Sequence, residues 1–363
     1  MPEQELGVKR EGKAREVSHG VIIRLCRSVI LAYHTPMDAT GSPLYYVADP
    51  AHVREAVLSN ITRHHLLRGV TRLGLAVSGG ADSVALFHLM LPLCRESGIS
   101  VTVVHLNHGL RPEADTEARF VCELAEHAHV TVLYEKISTR ENMRSGTSLE
   151  MAAREGRMAF YARCCESAGL DAIATGHQAD DVSESLLLRL ARGSGASGLS
   201  GLRPVSSISQ RGHPASTTVR LTLIRPLLTL STWALRAWLK QGSHVWCEDA
   251  SNRDCAIPRN RIRNEVLPHL EATWRPDLRA RLCQSAEALR EDDVLLDALA
   301  TRQLDALVAE TSAGSIPVAS LCQQAAALQR RILRQWLFRQ SLPEAAGLET
   351  TLSLLAQCQK PDD

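Results

Sequence analysis

A chain of 363 residues, 45 % apolar and 22 % charged, is long enough to bury a sizeable core and has the composition of a globular protein. Its net charge of +1 excludes a global electrostatic pull on nucleic acid, so any RNA-binding surface has to be local. The ten cysteines form no C-x-x-C pair and no run of 18 apolar residues occurs. That pattern argues against a zinc ribbon and a spanning helix, and sets the expectation of a cytoplasmic protein with no membrane partner.

Residues 1–50 are expected to form an N-terminal extension. They open polar, pass through a short apolar stretch and break between Pro36 and Pro43. A flexible extension, a small regulatory piece and a gene start read too early, with Met37 as the later one, all fit. From Asp49 a helical pattern begins, with Pro50 near its start and Val53, Val57, Ile61 and Leu66-Leu67 on one face.

Residues 73–86 organise the rest of the chain. An apolar run stops at Ser78-Gly79-Gly80-Ala81-Asp82-Ser83 and resumes with helical spacing, which predicts a buried strand, a tight turn and a helix N-terminus. Gly79 and Gly80 let the backbone turn sharply and come close to a ligand. Backbone N–H groups, the Ser78 and Ser83 hydroxyls and the positive end of the helix are expected to face one point, which suits phosphate. Asp82 makes sense there if a magnesium ion lies between its carboxylate and the phosphates. The turn lacks the Lys of the common P-loop, so it is a different nucleotide loop.

Helices and strands then alternate. Helices are predicted at 82–94, 111–128, 149–168 and 180–190, and strands at 101–106, 130–137 and 171–176. This spacing predicts an α/β fold: a doubly wound, mainly parallel sheet with ligands at the carboxyl ends of its strands. Residues 193–201 read as a Gly/Ser-rich loop, 203–225 as two strands around a polar turn at 210–215, and 231–241 as a helix capped by Ser231. Strand signals vanish after about His269. The expected division is therefore a catalytic domain over 51–272 and a helical domain over 273–363.

Four further clusters carry chemistry. His105 and His108 have metal-like spacing, but no third ligand is near; Asn107, His108 and Arg111 read better as lining a site for a base, a ribose or a phosphate. In Gly176-His177-Gln178-Ala179-Asp180-Asp181-Val182-Ser183-Glu184, adjacent acids at a helix start have a capping explanation. Asp181 and Glu184 also share a helix face, however, and His177 is placed to close the same pocket. Two acids on one face can hold a cation, either magnesium or an ammonium group. Arg192 beside Gly193-Ser194-Gly195 fits a phosphate clamp or a helix C-cap. Arg259, Arg261 and Arg263 stand at a helix start, where an anionic partner such as ATP or an RNA backbone makes better sense of them than the helix dipole does.

Taken in order, these motifs resemble a known family. Residues 78–83 resemble the pyrophosphate loop of ATP pyrophosphatases. His108-Gly109-Leu110-Arg111, Gly176-His177 with Asp180-Asp181, Arg192-Gly193-Ser194-Gly195, Arg225-Pro226-Leu227-Leu228 and Asn260-Arg261-Ile262-Arg263 complete a set similar to the tRNA(Ile)-lysidine synthetase family, over roughly 70–271. The resemblance implies an adenine nucleotide alpha hydrolase-like sheet. It implies ligation of L-lysine to C2 of the wobble cytidine of the CAU-anticodon tRNA(Ile), with ATP and Mg2+, through an adenylated tRNA. Ser78, Gly79, Gly80 and Ser83 would hold pyrophosphate, with Ala81, Asp82, His177, Arg192, Arg261 and Arg263 also at the nucleotide site. Asp82 and Asp181 would bind the metal, and Asp82, Asp181, Glu184 and Arg111 would serve catalysis. The helical domain would bind tRNA, and a homodimer stays open. Val182 stands where the family usually has Gln. The competing readings are another tRNA-modifying member, such as a cytidine thiolase, and a nucleotide- and RNA-binding module without chemistry.

Overall fold

Among the described residues six strands form one sheet: β1 (Arg72–Ala76), β2 (Ser100–Asn107), β3 (Thr131–Lys136), β4 (Ala172–Ala174), β5 (Val205–Arg211) and β6 (Thr218–Ile224). The computed structural model describes residues 46–110, 113–139, 143, 146–211, 218–248, 254–309, 311, 314–340, 342 and 347–358. The strand order is β3-β2-β1-β4-β6-β5, and every neighbouring pair is parallel except β5 with β6. Central β1 places Leu75 between Val103 and Ala174.

Both faces are covered, which explains the near-continuous apolar strands. On one face Leu73, Leu75 and Val103 meet α1 (Val53–Arg63), α2 (Ala81–Glu96), α3 (Ala114–His127) and α7 (Thr232–Gln241). On the other, Val104, Ile173 and Leu223 pack on Phe160, Tyr161, Cys164 and Cys165 of α4 (Leu149–Ala168). Full burial of one such leucine contributes roughly 1.5–3 kcal/mol. From β1 the chain winds outward through β2 to β3, then returns to add β4 on the opposite side of β1. The loops leaving β1 and β4 therefore diverge and leave a crevice at the carboxyl edge.

Beyond β4 come α5 (Ala179–Ala191), α6 (Ala196–Leu199), α8 (Pro258–Arg261), five residues of π-helix (Ile262–Val266) and α9 (Leu267–Thr273). The helices α10 (Leu278–Ala309), α11 (Val318–Cys322), α12 (Ala326–Arg339) and α13 (Leu348–Cys358) close the described chain. The first half of α10 lies on α5, where Cys283 and Ala286 meet Val182 and Leu186. Its second half joins a separate core with Ala300, Leu304, Ile332, Leu337 and Leu355. No helix among the described residues is long and apolar enough to cross a membrane.

Three local expectations change. The segment expected to be a loop at 193–201 contains the short helix α6. The helical pattern from Asp49 ends at Arg63, because His65 takes φ +51° and the chain turns to bury Leu66. The extension expected to run to residue 50 is already inside the fold at Val47, which is buried and pairs with the backbone of Thr229 and Ser231. Residues 1–45 and 212–217, with most of the turn expected at 210–215, lie outside the described residues.

Candidate active site

The turn after β1 is held by its own side chains. Gly79 has φ +96°, a conformation that favours glycine, and its carbonyl accepts from the Cys247 N–H at 2.9 Å. The Ser83 hydroxyl donates to the Gly80 carbonyl at 2.8 Å and accepts from the Ser78 N–H at 3.0 Å; the Ser78 hydroxyl lies 3.1 Å from it. Both hydroxyls thus brace the loop. The first-turn N–H groups of Ala81 and Asp82 in α2 have no intrahelical acceptor and remain as anion donors.

Asp82 carries the unusual electrostatics. Its Oδ1 is sealed from solvent and has no hydrogen-bond partner among the described residues. Burial, then the nearby Asp181 charge, pushes its pKa up to about 7, against the opposing pull of Arg263 and Arg236. A buried carboxylate oxygen without a donor is a position that suits a divalent cation. No three His, Cys, Asp or Glu converge as metal donors among the described residues. The chain would therefore supply one or two carboxylates, with phosphates and water supplying the rest, as magnesium accepts.

Across the crevice, the start of α5 sorts its two adjacent acids. Asp180 is structural, accepting from the Tyr46 hydroxyl at 3.0 Å, the Thr232 N–H at 2.8 Å and Arg279 at 3.3 Å. Asp181 closes a capping box through Oδ2, which accepts from the Gln178 N–H at 3.1 Å. Its Oδ1 faces the crevice and accepts from Arg259 at 2.6 Å and Arg263 at 3.1 Å. Fully buried Glu184 accepts from the same guanidinium groups, at 2.8 Å from Arg259 and 2.5 Å from Arg263. The two acids hold two cations through five charge-assisted hydrogen bonds. Gly176, just before this helix, lies against the backbone of Asp82 and Ser83, so the two loops touch.

The other expected site residues fall in different places. His177 hydrogen-bonds Thr175 through Nδ1 at 2.8 Å, and burial with Arg225, Arg259, Arg157 and Arg154 holds its pKa well below the usual value. It is neutral at pH 7. Arg261 lies on the opposite side of its helix from the acid pair; it is exposed and donates to the Cys255 carbonyl at 3.1 Å. Arg192 is exposed at the C-terminus of α5, where its backbone caps the helix. Arg111 lies outside the described residues. Asn107 is buried and braces its own turn, bonding Asp115 and the Gly109 N–H. Sequence reasoning grouped Arg259 with Arg261 and Arg263 for an anionic partner such as ATP or RNA, and missed its pairing with Asp181 and Glu184. Its signal is the i, i+4 spacing with Arg263, which puts both on one helix face and leaves Arg261 on another. Val182 faces Cys283 and Ala286 of α10, away from the acid pair's guanidinium partners.

The amino-acid sequence matches the family model of the PP-loop domain over residues 51–270. The chain belongs to the PP-loop family. Among its curated relatives are proteins called tRNA(Ile)-lysidine synthase. That of Dehalococcoides mccartyi is 35 % identical over 286 residues, covering 78 % of this chain and 59 % of the relative. That of Geobacter sulfurreducens is 34 % identical over 293 residues, covering 77 % and 58 %. The chain thus spans somewhat under three fifths of the length of these relatives. A U34-tRNA thiolase from Methanococcus maripaludis superposes with a TM-score of 0.51 at 14 % identity, over 72 % of this chain and 88 % of that one, a likeness of fold. Within this PP-loop protein the matched segment ends inside α9, after both Arg259 and Arg263.

Proposed function

We propose that this PP-loop protein ligates L-lysine to C2 of the wobble cytidine of the CAU-anticodon tRNA(Ile), with ATP as the activating substrate, in the cytoplasm. The observation that carries the reading is the facing pair of sites. A phosphate-type turn holds Asp82, whose buried Oδ1 has no hydrogen-bond partner among the described residues, and an acid pair across the crevice already holds nitrogen cations. The names of its relatives support the same reading.

In this scheme the cytidine C2 oxygen attacks the α-phosphate of ATP, and pyrophosphate leaves into the turn at residues 78–83. The N–H groups of Ala81 and Asp82 stabilise the charge that grows on the leaving oxygens. Asp82 would hold Mg2+, which when bound supplies positive charge against the pyrophosphate. Asp181 and Glu184 orient the lysine ε-ammonium in place of one guanidinium, and a carboxylate beside it accepts a proton as the amine becomes nucleophilic. The amine then attacks C2 and AMP departs. Neutral His177 beside this pocket adds no competing positive charge.

The test is incorporation of labelled lysine into a transcript of that tRNA, with ATP and Mg2+, by the wild-type chain, Asp82→Ala and Asp181→Ala. ATP-dependent incorporation that falls in both variants supports the reading. Incorporation without ATP, or ATP-dependent sulfur transfer with no lysine uptake, overturns it.

A further inference from the structure

A second cleft, of about 320 Å³, lies between the Gly/Ser segment that follows α5 and the C-terminal helices. Ser194 and Ser197 line one wall, Arg330 and Arg334 of α12 the other, with Leu296 of α10 and Thr351 of α13 at its sides. None of these residues belongs to the crevice at β1 and β4.

The charges in this cleft are unevenly treated. Arg331, the third arginine of the lining, is buried and donates to Asp293 and Asp297 at 2.6 Å each. The fold therefore neutralises the arginine it uses for packing. The Arg330 side chain is exposed and makes no ion pair or hydrogen bond with any described residue. Arg334 donates only to the Ser197 hydroxyl, at 3.0 Å, and has no carboxylate partner among the described residues. Arg330 and Arg334 are four residues apart on one helix, where two like charges repel unless an anion lies between them. Two guanidinium forks with serine hydroxyls opposite form a donor set with the geometry and charge of a phosphate receptor.

We infer that this cleft binds a phosphate of a nucleic-acid backbone, with Arg330 and Arg334 as its ligands and Ser194 and Ser197 as flanking donors. The segment 192–198 runs directly out of α5, the helix that carries Asp181 and Glu184, so a strand held here is tethered beside the acid pair's own helix. In identifying that strand as the substrate tRNA the inference rests on the function proposed above.

The experiment measures binding of the tRNA(Ile) transcript to the full chain across a salt series, alongside MgATP binding and binding of inorganic phosphate alone. Arg330→Ala/Arg334→Ala is compared with Arg54→Ala/Arg68→Ala, which removes two exposed arginines from outside the cleft. The expected result is roughly tenfold weaker RNA binding at physiological salt. The salt slope is expected to be smaller by about 1.5–2, with MgATP binding unchanged and Arg330→Lys/Arg334→Lys restoring the slope. An unchanged slope overturns the inference, as does an equal loss in the Arg54/Arg68 variant. Inorganic phosphate that binds through Arg330 and Arg334 while RNA affinity stays unchanged also overturns it, in favour of a small-anion site. If lysine incorporation fails but the slope still falls, the proposed function is lost and the phosphate site stands.

Discussion

Two ionic clusters in this molecule are built from the same parts. At the crevice, Asp181 and Glu184 receive Arg259 and Arg263. At the junction of α10 with α12, Asp293 and Asp297 receive Arg331 from one side and Arg203 from the other. Each joins carboxylates on one helix to arginines distant in sequence. They differ in what is left over. The junction carboxylates have arginine partners on both sides, and the side chain of Asp293 is wholly buried. Among the described residues the crevice leaves Asp82 Oδ1 without a partner and its pKa up near 7, and its arginines come from a four-residue helix running into π-helix, a weaker support than the regular turns of α12. A paired cluster is architecture. The residual unpaired charge is what marks the crevice as a place for ligands.

The largest expected effect is at the junction. Asp293→Ala leaves Arg203 and Arg331 with only Asp297 to share, and is expected to cost about 3–5 kcal/mol in urea denaturation. A cost below about 1 kcal/mol would break the assignment of that cluster to stability. At the crevice, Asp82→Asn is expected to lower lysine incorporation by about 10²- to 10³-fold while the chain stays folded, read by initial rates and circular dichroism together. Retained activity would end the contrast between the clusters.

A smaller effect sharpens the electrostatics. Because the fold raises the Asp82 pKa from 3.8 to about 7, its ionised form is disfavoured in the native state. The stability linked to this group is present below about pH 4 and is lost as pH rises through 7. Asp82→Asn should therefore match the wild type near pH 4 and become progressively more stable than it as pH rises to 8 without metal. Adding Mg2+ at pH 8 should stabilise the wild type and not the variant. A constant gap across the range would show that Asp82 is not the titrating group. The smallest effect is Arg259→Ala, expected to cost about 1 kcal/mol, since Arg263 still bridges both acids and the Arg259 side chain is 31 % exposed. It should cost less than Arg331→Ala, whose side chain is 9 % exposed. The reverse order would merge the two clusters into one type.

What could be read from the chain alone depended on the range of each interaction. The turn at 78–83 is local: glycine conformation, helix start and bracing hydroxyls lie within six residues, and the motif announces them. The shared face of Asp181 and Glu184 is also local, as is the alternation that yields the parallel sheet. The partners of those acids are not local. Arg259 and Arg263 reach α5 across 75 to 82 residues of sequence, and nothing in their neighbourhood says which of three nearby arginines turns inward. The bracing role of Ser83 also escaped the motif, because a hydroxyl beside a phosphate turn looks the same whether it faces ligand or backbone. The inward side of Val182 was hidden because α10, which covers it, lies a hundred residues away.

Gly176 sets a dimension that no bond in the crevice sets. A methyl group at this position would stand 3.1 Å from the carbonyl carbon and oxygen of Asp82 and 3.2 Å from the Ser83 nitrogen. These are backbone atoms at the start of α2, a helix anchored in the sheet's core, so they have little room to yield. One added carbon would thus widen the gap between the phosphate turn and the acid pair by a few tenths of an ångström. The reach from one half-reaction to the other is gauged by a hydrogen atom, and this chain keeps the narrowest setting available.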